Sequence, residues 1–305
     1  MNVAIANAPV SYGAFELTVG IDPSVPDGVA ILDEVAAAGY AGIDLGPVGY
    51  LGHGSELAER LTERGIGLAG AYLELPFSDP DALRLVFPDL DAMLDTFDAV
   101  RGIAPGPAPL PTIADAGSAE RRAAPGRSSG DHSLGLDAAG WKRFGDGLRT
   151  VVERCRDRGY EPTLHPETGT FVEAPWEVEA AMEMSDVGVC LETGHLYVGG
   201  GDPARLANDW SGRINHVHVK DAHRAVIDAI VEEKEPHTAI WSREAFCELG
   251  GGDVDLGGVF EALAAHDFSG WLVVEQDIFP QTADRFRQAI DDQRANRRFL
   301  SAHGL

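Results

Sequence analysis

The sequence predicts an α/β chain of one domain, residues 1–305, folded as a (β/α)8 TIM barrel. Short apolar runs of strand length alternate about eight times with segments of helical period, and 305 residues suit one such barrel. A phrase of helix end, turn residue and strand recurs at 38–44, 64–68, 158–164 and 266–272. The structural rival, a doubly wound sheet that binds a dinucleotide, lacks its Gly-x-Gly-x-x-Gly after the first apolar run.

Taken in order, residues 3–8 read as a buried strand. Val29, Leu32, Val35 and Ala36 share one helical face, and Gly39 stops that helix. A second strand spans 42–45. Leu57 and Leu61 mark the next helix, Gly65 ends it, and a third strand covers 67–73. Helical sequence runs over 81–100, with Pro88 interrupting its first turns, and a fourth strand at 108–113 contains prolines. The stretch 115–136, rich in Ala, Gly, Ser and Arg, reads as a long loop rather than an interdomain linker, because the alternation resumes unchanged after it. Trp141, Phe144, Leu148, Val151, Val152 and Cys155 recur at spacings of three and four, an amphipathic helix that Gly159 ends. Strand five (160–165), a helix (172–184), strand six (187–192), a short helix (203–210) and strand seven (214–220) follow. An insertion at 222–255, a helix at 259–265, strand eight (271–275) and a last helix (282–300) complete the series.

Charge and cysteine content exclude several functions. There are 24 Lys and Arg against 49 Asp and Glu, a formal net charge of −25, which repels nucleic-acid phosphates. No run reaches the roughly 18 apolar residues of a membrane span, so no membrane partner is expected. Cys155, Cys190 and Cys247 are odd in number and widely spaced, which points away from a disulfide framework and toward a reducing compartment. With no basic n-region at the start, the expected location is the cytoplasm. No Gly-x-Ser-x-Gly elbow and no P-loop occur.

A barrel carries its site where the strands end. Strand two ends in Asp44, and Glu74 follows strand three. His165 and Glu167 close strand five, and Glu192 closes strand six with His195 three residues on. Strand seven holds His216 and His218, then Lys220 and Asp221, and strand eight leads into Glu275, Gln276 and Asp277. This mixed set of imidazoles and carboxylates suits a divalent ion. Mn²⁺ or Co²⁺ comes first, with Mg²⁺ or Zn²⁺ as alternatives, since thiolates are absent from the set. His216 and His218 point the same way; His218, nearer the strand end, is the favoured ligand and His216 a buried, hydrogen-bonded histidine. Glu192 and Glu275 each follow apolar residues, where a carboxylate is costly unless paired, protonated or metal-bound; the bland reading is an ion pair with an arginine. His195 is either a substrate contact or a partner of a ligand. His53 follows strand two within reach of the cleft, whereas His132, His223, His237, His266 and His303 read as surface or loop residues. Cys190 reads as a reduced core cysteine.

At these residues the sequence resembles the sugar isomerase/epimerase-like barrel superfamily, and within it the 2-keto-myo-inositol dehydratase (inosose dehydratase) branch. The stretches that carry the resemblance are Asn-Ala-Pro-Val-Ser-Tyr-Gly (7–13), Asp-Leu-Gly-Pro-Val-Gly-Tyr-Leu (44–51), His-Pro-Glu-Thr-Gly-Thr-Phe-Val-Glu (165–173), Leu-Glu-Thr-Gly-His-Leu (191–196), His-Val-His-Val-Lys-Asp (216–221), Gly-Gly-Asp-Val-Asp (251–255) and Trp-Leu-Val-Val-Glu-Gln-Asp (271–277). The resemblance implies one divalent metal held by His165 or Glu167, then Glu192, His218 and Glu275. Two departures stand out: Glu192 replaces the usual aspartate of strand six, and His-Pro-Glu replaces the branch's His-Pro-His.

The implied chemistry is enolisation beside the carbonyl of a sugar or cyclitol, leading to dehydration of 2-keto-myo-inositol or a related keto-polyol. A ketose 3-epimerase or isomerase is the alternative enzyme. A sugar-binding or partner-subunit barrel without turnover is the non-enzyme alternative. Glu167 or Glu275 is the candidate base, with His195 or Lys220 as proton donor. Asn7, Tyr12, His53, Glu74, Trp241 and Asp253 are candidate substrate contacts. The insertion at 222–255, holding Trp241 and Phe246, reads as a lid or as a contact of a homo-oligomer.

Overall fold

The computed structural model describes residues 1–279 and 282–305. Nine parallel strand segments form one sheet: Asn2–Asn7, Gly42–Ile43, Gly67–Leu68, Gly70–Leu75, Leu110–Asp115, Thr163–His165, Gly188–Glu192, Ile214–Val219 and Ser269–Val274. The first strand pairs with the last from Asn2↔Ser269 to Asn7↔Val274. The two ends of the strand order are Gly67–Leu68 and Gly70–Leu75, which are one strand interrupted at Ala69. Ala69 donates to Ile43 O on one side and accepts from Leu110 N on the other, so the ring closes there. Helices cover the outside, giving the expected (β/α)8 barrel.

Side-chain alternation builds two cores. Ile5, Leu164, Val189, Leu191, Val217 and Val219 face outward into the layer beneath the helices. Ala6, Ala8, Ala69, Trp271 and Val273 fill the inside. Trp271 plugs the barrel at the end where the strands start, and its indole Nε1 donates to Pro107 O. A Cβ on Gly42 or Gly106 would lie 2.6 or 2.7 Å from that ring, so the plug requires glycine at both places. Trp271→Ala is expected to destabilise the protein by about 3–5 kcal/mol; the midpoint of urea unfolding measures it.

Several elements differ from expectation. The helix Pro80–Val100 runs unbroken through Pro88. Pro88 and Arg84 are both exposed, so the carbonyl that loses its bond faces solvent, while Leu83, Leu90, Met93, Leu94 and Phe97 hold both halves against the core. The fourth strand is shifted to Leu110–Asp115, which leaves Pro109 outside and Pro111 in the second position. The helix expected from 172 starts at Pro175, because Val172, Glu173 and Ala174 form a buried turn.

The 115–136 stretch contains a helical turn, Ala119–Arg122, and a 3-10 turn, His132–Leu134. Its anchor is Arg121, 1% exposed. The insertion at 222–255 holds the helices Arg224–Glu233 and Thr238–Ser242 and a short antiparallel ribbon between Asp221–Ala222 and Phe246–Cys247. The Asp221 carboxylate accepts from the backbone N–H groups of Gly250, Gly252 and Val254, which ties the end of the insertion to the barrel. Among the described residues no helix is long and apolar enough to cross a membrane.

Candidate active site

The same alternation that sends Leu164, Val217 and Val219 outward turns His165, His216 and His218 toward the barrel axis. Loop residues at the strand ends add Asp44, Glu167, Lys220, Glu275 and Asp277. All of these except His216 floor a cleft of about 520 Å³, walled by Phe15, Tyr72 and Trp241.

Lys220 is the hub. Its Nζ lies 2.7 Å from Asp277 Oδ1, 3.2 Å from Glu275 Oε2, 3.6 Å from Glu192 Oε1 and 3.1 Å from His195 Nε2. Phe246, expected in the lid, is buried beneath it, with the ammonium 4.8 Å from the ring centre. Glu275 Oε2 is also 3.1 Å from His218 Nδ1, and His218 Nε2 is 3.7 Å from Asp44 Oδ2. On the other side, His195 Nδ1 is 2.7 Å from Thr168 Oγ1 and 3.4 Å from Glu167 Oε1.

Burial sets the protonation states. It pushes Asp44 up to about 7 against the pull of His218, and Glu167 up to about 7 against His195 and Lys220. Burial alone would lower His218, but Glu275 and Asp44 outweigh it and hold the imidazole at about 9. Burial would likewise lower His195, and Lys220 adds to that, yet Glu167, Glu192 and Asp277 raise it above the ordinary imidazole value. Burial would raise Glu275, yet His218 and Lys220 keep it well below the usual carboxylate range. His165 is held well below the ordinary imidazole value by burial and then by His218 and His195.

The residues fit a divalent ion. Asp44, His218 and Glu275 each offer a ligand atom, all within 4.8 Å of one another. Asp44 Oδ1 and His218 Nε2 are buried with no hydrogen-bond partner among the described residues. Two carboxylates and one imidazole suit a hard or borderline cation.

Of the expected ligands, the structure brings His165, Glu167, His218 and Glu275 to the cleft floor, while Glu192, on the axis-facing side of its strand beside His218, lies beneath the floor with Oε1 free of hydrogen bonds among the described residues. Glu192 caps the helix Thr193–Val198, its carboxylate accepting from the His195 backbone N–H, and it is fully buried under Lys220. A capping carboxylate satisfies an orphan donor of the helix end, and that competes with ligation. Neither Glu192 nor Glu275 has an arginine partner among the described residues; the cation for both is Lys220. His216 is not hydrogen-bonded as expected: neither ring nitrogen has a partner among the described residues.

Among the substrate-contact candidates, Glu74 and Trp241 line the cleft, Glu74 paired with Arg122 at 2.7 Å. The other four lie elsewhere. Ala6 and Ala8 face inward, so Asn7 faces the helices and donates to Gln293 Oε1. Tyr12 is buried, with its ring 6.3 Å from that of Phe286. His53 is exposed at the start of the helix Gly54–Arg64, and Asp253 is exposed and accepts from Arg224 N. His237, expected as a surface or loop residue, lies in the turn before the helix Thr238–Ser242 and lines the cleft beside Trp241 at a ring distance of 5.3 Å. The sequence alone assigns no role to Asp44 or Asp277. Each is visible there as a strand-end carboxylate, but its partner across the ring is not.

A family model described as xylose isomerase-like TIM barrel matches residues 32–300. The chain belongs to this family. The resemblance read from its motifs therefore stands. A relative within the same resemblance, the inosose dehydratase of Geobacillus kaustophilus (strain HTA426), is 26% identical over 262 residues, 85% of this chain and 83% of that protein. Inosose dehydratase 2 of Bacillus cereus is 33% identical over 153 residues, 49% of this chain, and the match spans about half (51%) of that relative's length. Among solved structures, L-ribulose 3-epimerase aligns with a TM-score of 0.67 at 16% identity, over 99% of this chain and 94% of that one. The IolI protein with a bound zinc atom aligns with a TM-score of 0.68 at 14% identity, over 99% and 98%. At these identities the two structures speak for the family's shared fold.

Proposed function

We propose that the protein is a divalent-metal-dependent lyase that enolises a keto-sugar or keto-cyclitol and expels the β-hydroxyl, with 2-keto-myo-inositol or a related keto-polyol as substrate. The observation that carries this reading is the cleft floor itself. There a carboxylate at about 7, Glu167, and the Lys220–His195 pair face the same space as Asp44, His218 and Glu275. The relatives named inosose dehydratase support it.

Asp44, His218 and Glu275 would hold the ion, with His165 beside them; when bound, it supplies Lewis-acid polarisation of the ketone. Glu167 Oε1 takes the α-proton, and its burial makes the carboxylate a better base than an exposed one. His195, raised by the acids around it against its burial, hands a ring proton to the departing hydroxyl. Lys220 Nζ stays protonated, because Asp277, Glu192 and Glu275 outweigh its burial, and it fixes their positions. Phe15 and Trp241, whose ring centres are 5.9 Å apart, cover the cleft and limit water entry.

Carboxylates outnumber cations among the described lining residues, where Glu16, Asp44, Glu74, Asp89, Glu167, Glu275 and Asp277 meet Arg122, Lys220 and the imidazoles of His195 and His218. A neutral polyol therefore suits the cleft better than an anion. The purified protein with Mn²⁺ or Co²⁺ is expected to turn 2-keto-myo-inositol into an enedione, read as growing ultraviolet absorbance. A phosphorylated keto-sugar is expected to react at least about ten-fold less efficiently. An unchanged absorbance with a changed NMR spectrum would replace the lyase with an epimerase on the same residues; no change in either would refute both.

A further inference from the structure

We propose that the barrel contains a second, soft-ligand metal site beneath the cleft, formed by Cys190, His165 and His218, which binds Zn²⁺ or a similar thiophilic cation. By sequence Cys190 is a plain core cysteine. Its strand neighbours Val189 and Leu191 join the outer core, so the thiol faces the barrel axis. The pairing of Gly188–Glu192 with Ile214–Val219 sets Cys190 beside His216 and Glu192 beside His218. One ligand atom each from His165, Cys190 and His218 lies within 4.8 Å of the others.

Independent observations point to a cation at this place. His165 and His218 are 2% and 1% exposed, and His165 Nδ1 and His218 Nε2 have no hydrogen-bond partner among the described residues. Such atoms are costly to bury unless something binds them. His216, fully buried with its ring centre 5.0 Å from that of His218, offers two more unpartnered nitrogens next to the trio. Ligand atoms on a tetrahedral zinc lie about 3–4 Å apart, so closure onto an ion needs only small rotations of these side chains. A thiolate with two imidazoles selects zinc over magnesium or manganese, the opposite preference to Asp44, His218 and Glu275.

Binding forms one metal–sulfur and two metal–nitrogen bonds; the S–H bond and the second ring N–H bond of His218 break, and both protons leave to solvent. Both ligand sets draw on His218, whose Nδ1 is engaged by Glu275. An ion on the soft site therefore withdraws His218 from the carboxylate set, and the two ions compete.

The test uses the full chain stripped of metal, without substrate, so its outcome is separate from that of the dehydratase reading. Co²⁺ is titrated in and the thiolate-to-cobalt charge-transfer absorbance is recorded; Zn²⁺ then displaces it. The wild type is expected to show the band. Cys190→Ser is expected to lose it and to bind Zn²⁺ about 100-fold or more weakly, since even indirect neighbours of a metal are worth 10–100-fold. Cys155→Ser and Cys247→Ser are expected to keep the band, and so is Asp44→Asn, with circular dichroism to verify folding. A wild type without the band, or a band that survives in Cys190→Ser, overturns the proposal. If Cys190→Ser fails to fold, His165→Ala gives the same reading: loss of the band supports the site, and its persistence overturns it.

Discussion

Glu167→Gln is expected to lower kcat on a keto-polyol by about 10²–10⁴ while divalent-ion binding changes little. The amide keeps the shape and the neighbours of the carboxylate but cannot take a proton. Glu167 sits two residues past His165 on the cleft floor, 3.4 Å from His195 Nδ1, and lies outside the Asp44, His218 and Glu275 cluster. A readout of kcat, KM and ion affinity together separates a base from a ligand. An equal fall in ion affinity and kcat would move Glu167 into the metal set. An unchanged kcat would remove it from the chemistry. Glu275→Gln provides the contrast. It is expected to weaken ion binding, because Glu275 Oε2 is shared between His218 and Lys220 and belongs to the ligand cluster.

Arg121→Met is expected to destabilise the protein by about 3–5 kcal/mol, seen as a fall in the urea midpoint, and to lower kcat as well. Arg121 makes a two-pronged contact with Glu177, Nη1 to Oε1 at 2.8 Å and Nη2 to Oε2 at 3.1 Å, and reaches Glu173 at 3.3 Å. All three side chains are buried, so removing the cation leaves two acids uncompensated. Glu173 also accepts from the N–H groups of Gly126 and Gly169, and Ser128 Oγ bridges the two acids at 3.0 and 3.1 Å. Gly169 follows Thr168 and Glu167, so the cluster holds the loop that carries the proposed base. The next residue, Arg122, meets Glu74 on the cleft wall. The triple change Arg121→Met, Glu173→Gln, Glu177→Gln is expected to recover part of the stability, because neutral side chains no longer need the guanidinium. A fall below about 1 kcal/mol for Arg121→Met would show that solvent reaches the cluster.

Much of this molecule is legible without the fold. Strand-length apolar runs locate the eight barrel strands to within a few residues, and alternation along strand seven puts His216 and His218 on one side. The same rule applied to strand six would have turned Cys190 to the axis, but an apolar run hides a thiol among core residues. The elements that moved are the ones where local rules compete with packing. Pro88 interrupts a helix in isolation but not one whose buried face is continuous on both sides of it. Asn7, Tyr12, His53 and Asp253 lie in or near motif stretches at strand ends, yet none lines the cleft: alternation turns Asn7 outward, Tyr12 packs beside Phe286, and His53 and Asp253 sit exposed at helix starts.

The amino-acid order settles the barrel, the end of it that carries the polar residues, and the residue types gathered there, because periodicity and strand ends are local properties of the chain. Which of those residues meet depends on the closed ring. Asp44 comes from strand two and His218 from strand seven, and they approach because ring closure brings distant strand ends over one another. Glu192 has one oxygen, Oε2, taken as a cap by the helix that starts at Thr193, because unpaired N–H donors at a buried helix end need an acceptor, and its other oxygen, Oε1, has no hydrogen bond among the described residues; no local pattern in the sequence announces that division. Lys220 becomes the common cation of Glu192, Glu275 and Asp277 for the same kind of reason: buried acids are stable only beside an opposite charge, and no local pattern says which cation will be within reach.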